Sequence, residues 1–390
     1  MAARIIILLL VFGALADFPG LLQASKTVKI ALSKRTSMQA GNLGQPVTSY
    51  YTSMDFGTPP ISFNMLIDVN AREVWLPHHL KLGMVYQRLN YRNGYRKTGS
   101  TTSLKEPDSK YRIEYKGCDL TGKAYRDVIR FRDVTGTILP VKFEQRFIAV
   151  SSASSDIFNR FTPADGVLAF SPWPTSESGS DTICLAMKRA NLTGELRFGL
   201  ELNQEFESQS GGVLTIGDAD MSKIEGDFRF HHLVTINGNW EIGLQQVMFG
   251  AHTIDVCQHQ VSNRAPCSAL ISTTSDDIYG PSEAIKTMLR FLGFTDVDTH
   301  APLYEIDCLK VATAPTLTFV IDGINYTLPP TSYIKKKVDG FYFKSTTCYV
   351  ALLPNLSDNK WELGTSFLSQ YYSVFDIERR VVAFGKRKSN

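Results

Sequence analysis

From residue 45 onward the apolar positions come in short alternating or β-branched runs, broken every few residues by Gly, Pro or Asn. The clearest runs are 111–115 (YRIEY), 213–216 (VLTI), 317–321 (LTFVI), 372–375 (YSVF) and 381–384 (VVAF). A period of two in segments rich in Val, Ile, Tyr, Phe and Thr is the pattern of half-buried strands, so the chain reads as mostly β. Two stretches carry a helical period instead. One covers 181–191. The other covers 281–292, where Ala284, Ile285, Met288, Leu289 and Leu292 recur at three and four residues. Pro281 suits its first turn and Gly293 its end.

The pattern also repeats weakly along the chain. An apolar strand runs into a short polar loop at 65–70 (MLIDVN) and again at 269–274 (ALISTT). Each is followed much later by an apolar pair beside a small residue, at 166–169 (GVLA) and 361–364 (WELG). Two similar β lobes with a cleft between them account for this, and such clefts are where ligands bind.

Composition narrows the class. At 390 residues, 43% hydrophobic and 20% charged, the chain can bury two cores and is too apolar to be disordered. Arg4, the apolar run 5–16 and the small residues Ala14 and Ala16 form a secretory signal over residues 1–16. That run is well short of the roughly 20 residues that cross a bilayer, so no membrane anchor is expected. The net charge of +3 sits at this end. Residues 1–44 hold five Lys/Arg and one acid, which leaves −1 for the remainder and argues against a nucleic-acid partner.

The stretch 78–97 interleaves Arg88, Arg92, Arg96 and Lys97 with Tyr86, Tyr91 and Tyr95, and in an exported chain of this charge it reads as a solvated loop or edge. Export implies an oxidising compartment, where Cys118, Cys184, Cys257, Cys267, Cys308 and Cys348 pair as disulfides among 15 possible connectivities. His252, Cys257, His259 and Cys267 fit no zinc spacing, and neither metal nor cofactor is expected. The sequons at Asn191, Asn325 and Asn355 become glycosylation acceptors on that route.

Several ordered motifs resemble the pepsin family of aspartic endopeptidases over residues 50–386. They include FGTPP at 56–60, WLP at 75–77, Tyr115 with Thr121-Gly122, PADGVL at 163–168, NWEI at 239–242, YGP at 279–281, LTFVIDGINY at 317–326 and QYYSVFD at 370–376. The resemblance implies a bilobal acid-protease fold of two related β-barrel-like lobes, with lobes at 46–218 and 219–390. It also implies a catalytic aspartate in an Asp-Thr/Ser-Gly loop of each lobe. Such a pair shares one proton, because two anions that close cannot both ionise cheaply, and together they activate a water and protonate the scissile carbonyl.

Here the first loop reads Asp68-Val69-Asn70-Ala71 and the second Ser272-Thr273-Thr274-Ser275. The first acid survives and Ser272 stands in place of the second. A serine hydroxyl does not ionise near neutral pH, so half of the acid/base pair is lost. Val69 lacks the hydroxyl that would help tie the two loops, while Thr273 keeps its own; the clasp between lobes is expected to be broken on one side. Asn70 and Thr274 replace glycines that allow close backbone approach. Asp276 and Asp277, on the far side of the loop, are not expected to substitute for the missing acid. Asp68 itself reads as a relic with satisfied hydrogen bonds, or as a group that binds a water or peptide in the cleft.

At the flap, Tyr115 is kept but Lys116 and Cys118 replace glycines. By the resemblance, Cys308 pairs with Cys348 and Cys257 with Cys267; elimination then leaves Cys118 with Cys184, a bridge that would restrict the flap. Residues 17–45 resemble a shortened propeptide, whose opening strand is followed by basic residues that would pair with acids in the cleft. A protein that cannot cleave has little need of a full internal inhibitor. The expectation is therefore a secreted, monomeric, non-catalytic homologue that binds peptides or proteins through its cleft or surface. The alternatives are a working aspartic endopeptidase with an altered dyad, or an inhibitor or decoy for another protein.

Overall fold

The computed structural model describes residues 27–38, 46–79, 94–133, 135–154, 164–172, 182–205, 208–235, 238–254, 267–295, 297, 303–339, 345–355 and 360–388. The expected signal segment, Cys257 and residues 80–93 of the basic, tyrosine-rich stretch lie outside them.

The chain folds as a bilobal, mostly β protein built round one 13-stranded sheet. Its strands are β1 (Val28–Met38), β2 (Pro46–Phe56), β3 (Ile61–Asp68), β4 (Trp75–Pro77), β5 (Leu104–Tyr115), β6 (Cys118–Arg132), β7 (Ile138–Ala153), β8 (Gly166–Ala169), β9 (Arg197–Leu202), β10 (Ser210–Ile216), and the strands Ile224–His232, Tyr371–Asp376 and Val381–Arg387. Smaller sheets of five, four and three strands complete the C-terminal lobe. All five runs with a two-residue period fall inside strands.

The weak repeat becomes a repeated arrangement. β3 runs parallel to β8, pairing Asp68 with Ala169, and β8 pairs antiparallel with β4 at Trp75–Val167. In the second lobe Ser268–Ile271 runs parallel to Lys360–Leu363, which pairs antiparallel with Ile278–Pro281. Asp68 ends the first of these units and Ser272 directly follows the same strand of the second. Met65 to Asp68 are buried without a break rather than alternately, as befits strands covered on both faces.

β1 occupies the middle of the large sheet. It pairs antiparallel with β10 from Val28 to Ser33 and with β2 from Ser33 to Met38, and among the described residues it alone joins these two halves of the sheet. Ile30 and Leu32 are fully buried. Lys29 and Lys34 of this strand make their contacts elsewhere than on Asp68. Lys29 pairs with Asp220 at 2.5 Å, and the buried Lys34 ammonium donates to the carbonyls of Asn203 and Glu205 at 2.9 and 2.5 Å. The strand fixes where each side chain points, and its register turns Lys34 toward the 203–205 backbone.

Both expected helices form. α1 (Ile183–Arg189) is capped by Thr182, whose hydroxyl accepts from Leu185 N. α2 (Ser282–Phe291) starts one residue later than Pro281, which ends a strand and serves as the N-cap; Gly293, at φ +98°, closes its C-terminus. Cys308 and Cys348 are bridged, with Cα atoms 5.2 Å apart. Cys267 is disulfide-bonded, and its expected partner Cys257 lies outside the described residues. The Cys118–Cys184 bridge is not formed. Both remain buried thiols, Cys184 on α1 and Cys118 with its sulfur 3.6 Å from the Ser154 hydroxyl, so the flap carries no such cross-link. Elimination had assigned that pair with no geometry behind it.

No helix among the described residues is long and apolar enough to cross a membrane. Tyr95 departs from the solvated loop expected of its stretch. It is buried, and its hydroxyl donates to Asp127 Oδ2 at 2.7 Å, because a buried carboxylate needs donors and Tyr95, Ser100, Thr102 and the Val128 N–H supply them. Asn191 and Asn325 are exposed, while Asn355 is half-buried and its amide donates to Lys360 O.

Candidate active site

The first loop turns back on its own carboxylate. Asp68 is 1% exposed, and its Oδ1 accepts from the Asn70 and Ala71 N–H groups at 2.8 and 3.2 Å. Its Oδ2 accepts from the Tyr115 hydroxyl at 2.8 Å. That tyrosine is delivered by the β5–β6 hairpin, where Tyr115 faces Cys118 across a two-residue turn. Lys116 and Gly117 both have positive φ, 51° and 72°, the conformation that a tight turn of primed type requires. A lysine there carries a cost of about 1 kcal/mol that a glycine would not. The Tyr115 ring packs edge-on against Trp75 at 5.3 Å. Burial, reinforced by the Asp68 carboxylate beside it, pushes the Tyr115 phenol well above its ordinary range.

The second loop has no equivalent. Ser272 N donates to Leu363 O at 3.0 Å, yet the Ser272 and Thr274 hydroxyls are buried with no hydrogen-bond partner among the described residues. The Ser275 carbonyl accepts from Thr365 N at 2.8 Å. Asp276 faces away from the first loop: Oδ2 accepts from Thr48 N at 2.9 Å and Oδ1 from the Thr365 hydroxyl at 2.5 Å. Asp277 is buried, with Lys335 Nζ 3.6 Å from its Oδ1, and burial pushes its carboxyl up to about 6 against the pull of that ammonium.

The clasp between lobes is intact in an altered form. Thr273 Oγ1 donates to Ile67 O at 2.7 Å and accepts from Val69 N at 3.2 Å. Val69 makes no reciprocal bond from its side chain, but Asn70 takes over. Its Nδ2 donates to Ile271 O at 2.7 Å and its Oδ1 accepts from Trp240 N at 2.9 Å. The expectation that the clasp is broken on one side is therefore corrected: the amide beside the valine supplies the tie. Its position next to the lost threonine was the available signal, since an amide carries both a donor and an acceptor. Trp240 adds a second tie, Nε1 to Phe170 O at 3.1 Å. Asn70→Ala is expected to cost about 2 kcal/mol, because it removes two bonds and leaves a buried carbonyl and N–H unpaired. Urea unfolding of the variant measures this, and an unchanged midpoint would show that the amide contributes nothing.

A model of the eukaryotic aspartyl protease domain matches residues 49–387, from β2 through the last strand. The chain belongs to that family. Among similar members are cathepsin E of Aquarana catesbeiana, 26% identical over 335 residues, covering 86% of this chain and 78% of the relative. A renin of Echis ocellatus is 28% identical over 342 residues, covering 86% and 80%. Cathepsin D of Clupea harengus is 25% identical over 342 residues, covering 86% and 81%. The two repeated strand units carry the loops at Asp68 and Ser272, Asp68 at the end of one strand and Ser272 just past the matching strand of the other.

Proposed function

We propose that this aspartyl protease homologue is an exported protein without peptidase activity that binds polypeptide. The observation that carries the reading is the state of the one surviving acid. Both oxygens of buried Asp68 are engaged by Asn70 N, Ala71 N and the Tyr115 hydroxyl, and the matching residue of the other loop is a serine. A general acid/base pair needs two ionisable groups with a mobile proton between them, and Ser272 cannot supply one. Asp68 then serves to hold the loop and the flap tyrosine together.

Residues 1–16 serve as the export signal, and the chain is glycosylated at Asn191 and Asn325. β1 is retained in the working protein rather than shed as a propeptide. Only residues 39–45 separate it from β2, a Gly- and Asn-containing segment too short to replace an 11-residue strand. An intact mass beginning upstream of Val28 in the secreted form agrees with this; a start beyond Gln39 refutes it.

Purified protein is expected not to hydrolyse denatured haemoglobin or casein at acid pH. Turnover that a transition-state peptide inhibitor blocks would overturn the non-catalytic reading and favour a peptidase with an altered dyad. A stoichiometric complex with a single protein recovered from the secreted fluid would instead favour an inhibitor or decoy.

A further inference from the structure

A cavity of about 540 Å³ lies where β1 and β2 meet the C-terminal lobe, within the size range of small-ligand sites. Its lining carries three lysines, Lys34, Lys335 and Lys336, against one acid, Asp276. Lys34 from β1 is 7% exposed, and its ammonium is held only by the neutral carbonyls of Asn203 and Glu205. Among the described residues it has no ion-pair partner; Asp276 and Glu205 attract it only from a distance, and burial lowers its affinity for the proton. A buried cation without a contacting anion is costly and stands ready for one.

Beside it, Gln204 Nε2 is buried with no acceptor among the described residues. Lys336 is exposed on the same lining. The acid of the lining, Asp276, is already spoken for by Thr48 N, the Thr365 hydroxyl and nearby Lys335. Lys335 in turn is balanced by Asp276 and Asp277, so the uncompensated charge rests on Lys34 and Lys336. Val311, Ile334 and Tyr349 add apolar wall.

We propose that this cavity receives the carboxylate of an acidic side chain on a bound polypeptide, with Lys34 and Gln204 as its donors and Lys336 at its edge. The proposal rests on the polypeptide-binding reading above and adds a preference to it. A carboxylate offers acceptors to every unsatisfied donor, whereas a neutral amide would set its own NH2 against Lys34.

The test uses the full secreted chain and fluorescent octapeptides that carry one glutamate, scanned through the positions, each beside its glutamine twin. Anisotropy is expected to show at least tenfold tighter binding for the glutamate peptide at one position or more. The advantage is expected to shrink at 0.5 M salt, to disappear in Lys34→Met and to weaken in Lys336→Glu, whose exposed site spares the fold. Equal affinities for all twins overturn the acidic preference and leave polypeptide binding standing. No binding by any peptide overturns both. An acidic preference that survives unchanged in both lysine variants places the carboxylate elsewhere and overturns the assignment to this cavity.

Discussion

Ser272→Asp combined with Val69→Thr and Asn70→Gly is expected to raise acid peptidase activity from background by at least roughly a thousandfold, since catalytic groups act as a unit and each is useless without its mate. Ser272 ends the same repeated strand unit that carries Asp68 in the other lobe, so an aspartate there starts from the matching backbone position. The other two changes are coupled. Asn70 now supplies the tie to Ile271 O that Val69 lacks, so Asn70→Gly alone removes that side of the clasp and leaves the Thr273 side, while Val69→Thr brings a hydroxyl that can take its place. The pair together should cost less stability than the sum of the single changes.

Glycine at 70 also gives the loop the close approach that an amide side chain denies. Adding Asp68→Asn to the triple variant should return activity to background. If the triple variant folds normally and stays inactive, the scaffold has lost more than its loop chemistry. The Tyr115 bond to Asp68 is the first place to look, because a substrate carbonyl and an attacking water must displace it.

Stability is expected to fall on the order of 2 kcal/mol as pH rises from about 4 to about 6, through Asp277. Its carboxyl has an ordinary value of 3.8 and is pushed up to about 6 in the folded protein, chiefly by burial. A raised folded value means that the native state holds the proton more tightly than the unfolded chain. The resulting stabilisation is complete below 3.8 and is lost as pH passes 6, at about 1.4 kcal/mol per pH unit. Lys335 at 3.6 Å opposes the rise, while Asp276 and Glu362 add to it. Asp277→Asn should flatten this part of the profile, measured as urea midpoints at pH 4, 5, 6 and 7. A wild-type profile that is already flat, or a variant that keeps the same slope, would sink the assignment.

Strand content, both helices and the repeat were legible because each depends on local periodicity: the run 317–321 became the strand Leu317–Ile321 residue for residue. The Cys308–Cys348 bridge followed from the resemblance, and the Cys118–Cys184 bridge failed because elimination carries no distance. Lys34 was assigned to the acids of the cleft on its charge, yet a strand register one residue to either side would have turned it to the other face. Tyr95 read as part of a basic surface stretch, and burial of Asp127 made it core.

By itself the sequence determined the family, the two β lobes and the identity of the residues in both loops, because motif spacing and period-two patterning are properties of contiguous residues. Only the tertiary structure decided what those residues do to one another. Asn70 replaces a lost threonine because Ile271 and Trp240, some 200 and 170 positions away, present a carbonyl and an N–H to one amide. Asp68 has its oxygens filled because the β5–β6 hairpin folds Tyr115 onto it. Such partners meet across long loops of chain, and no local pattern encodes which donor will face which acceptor.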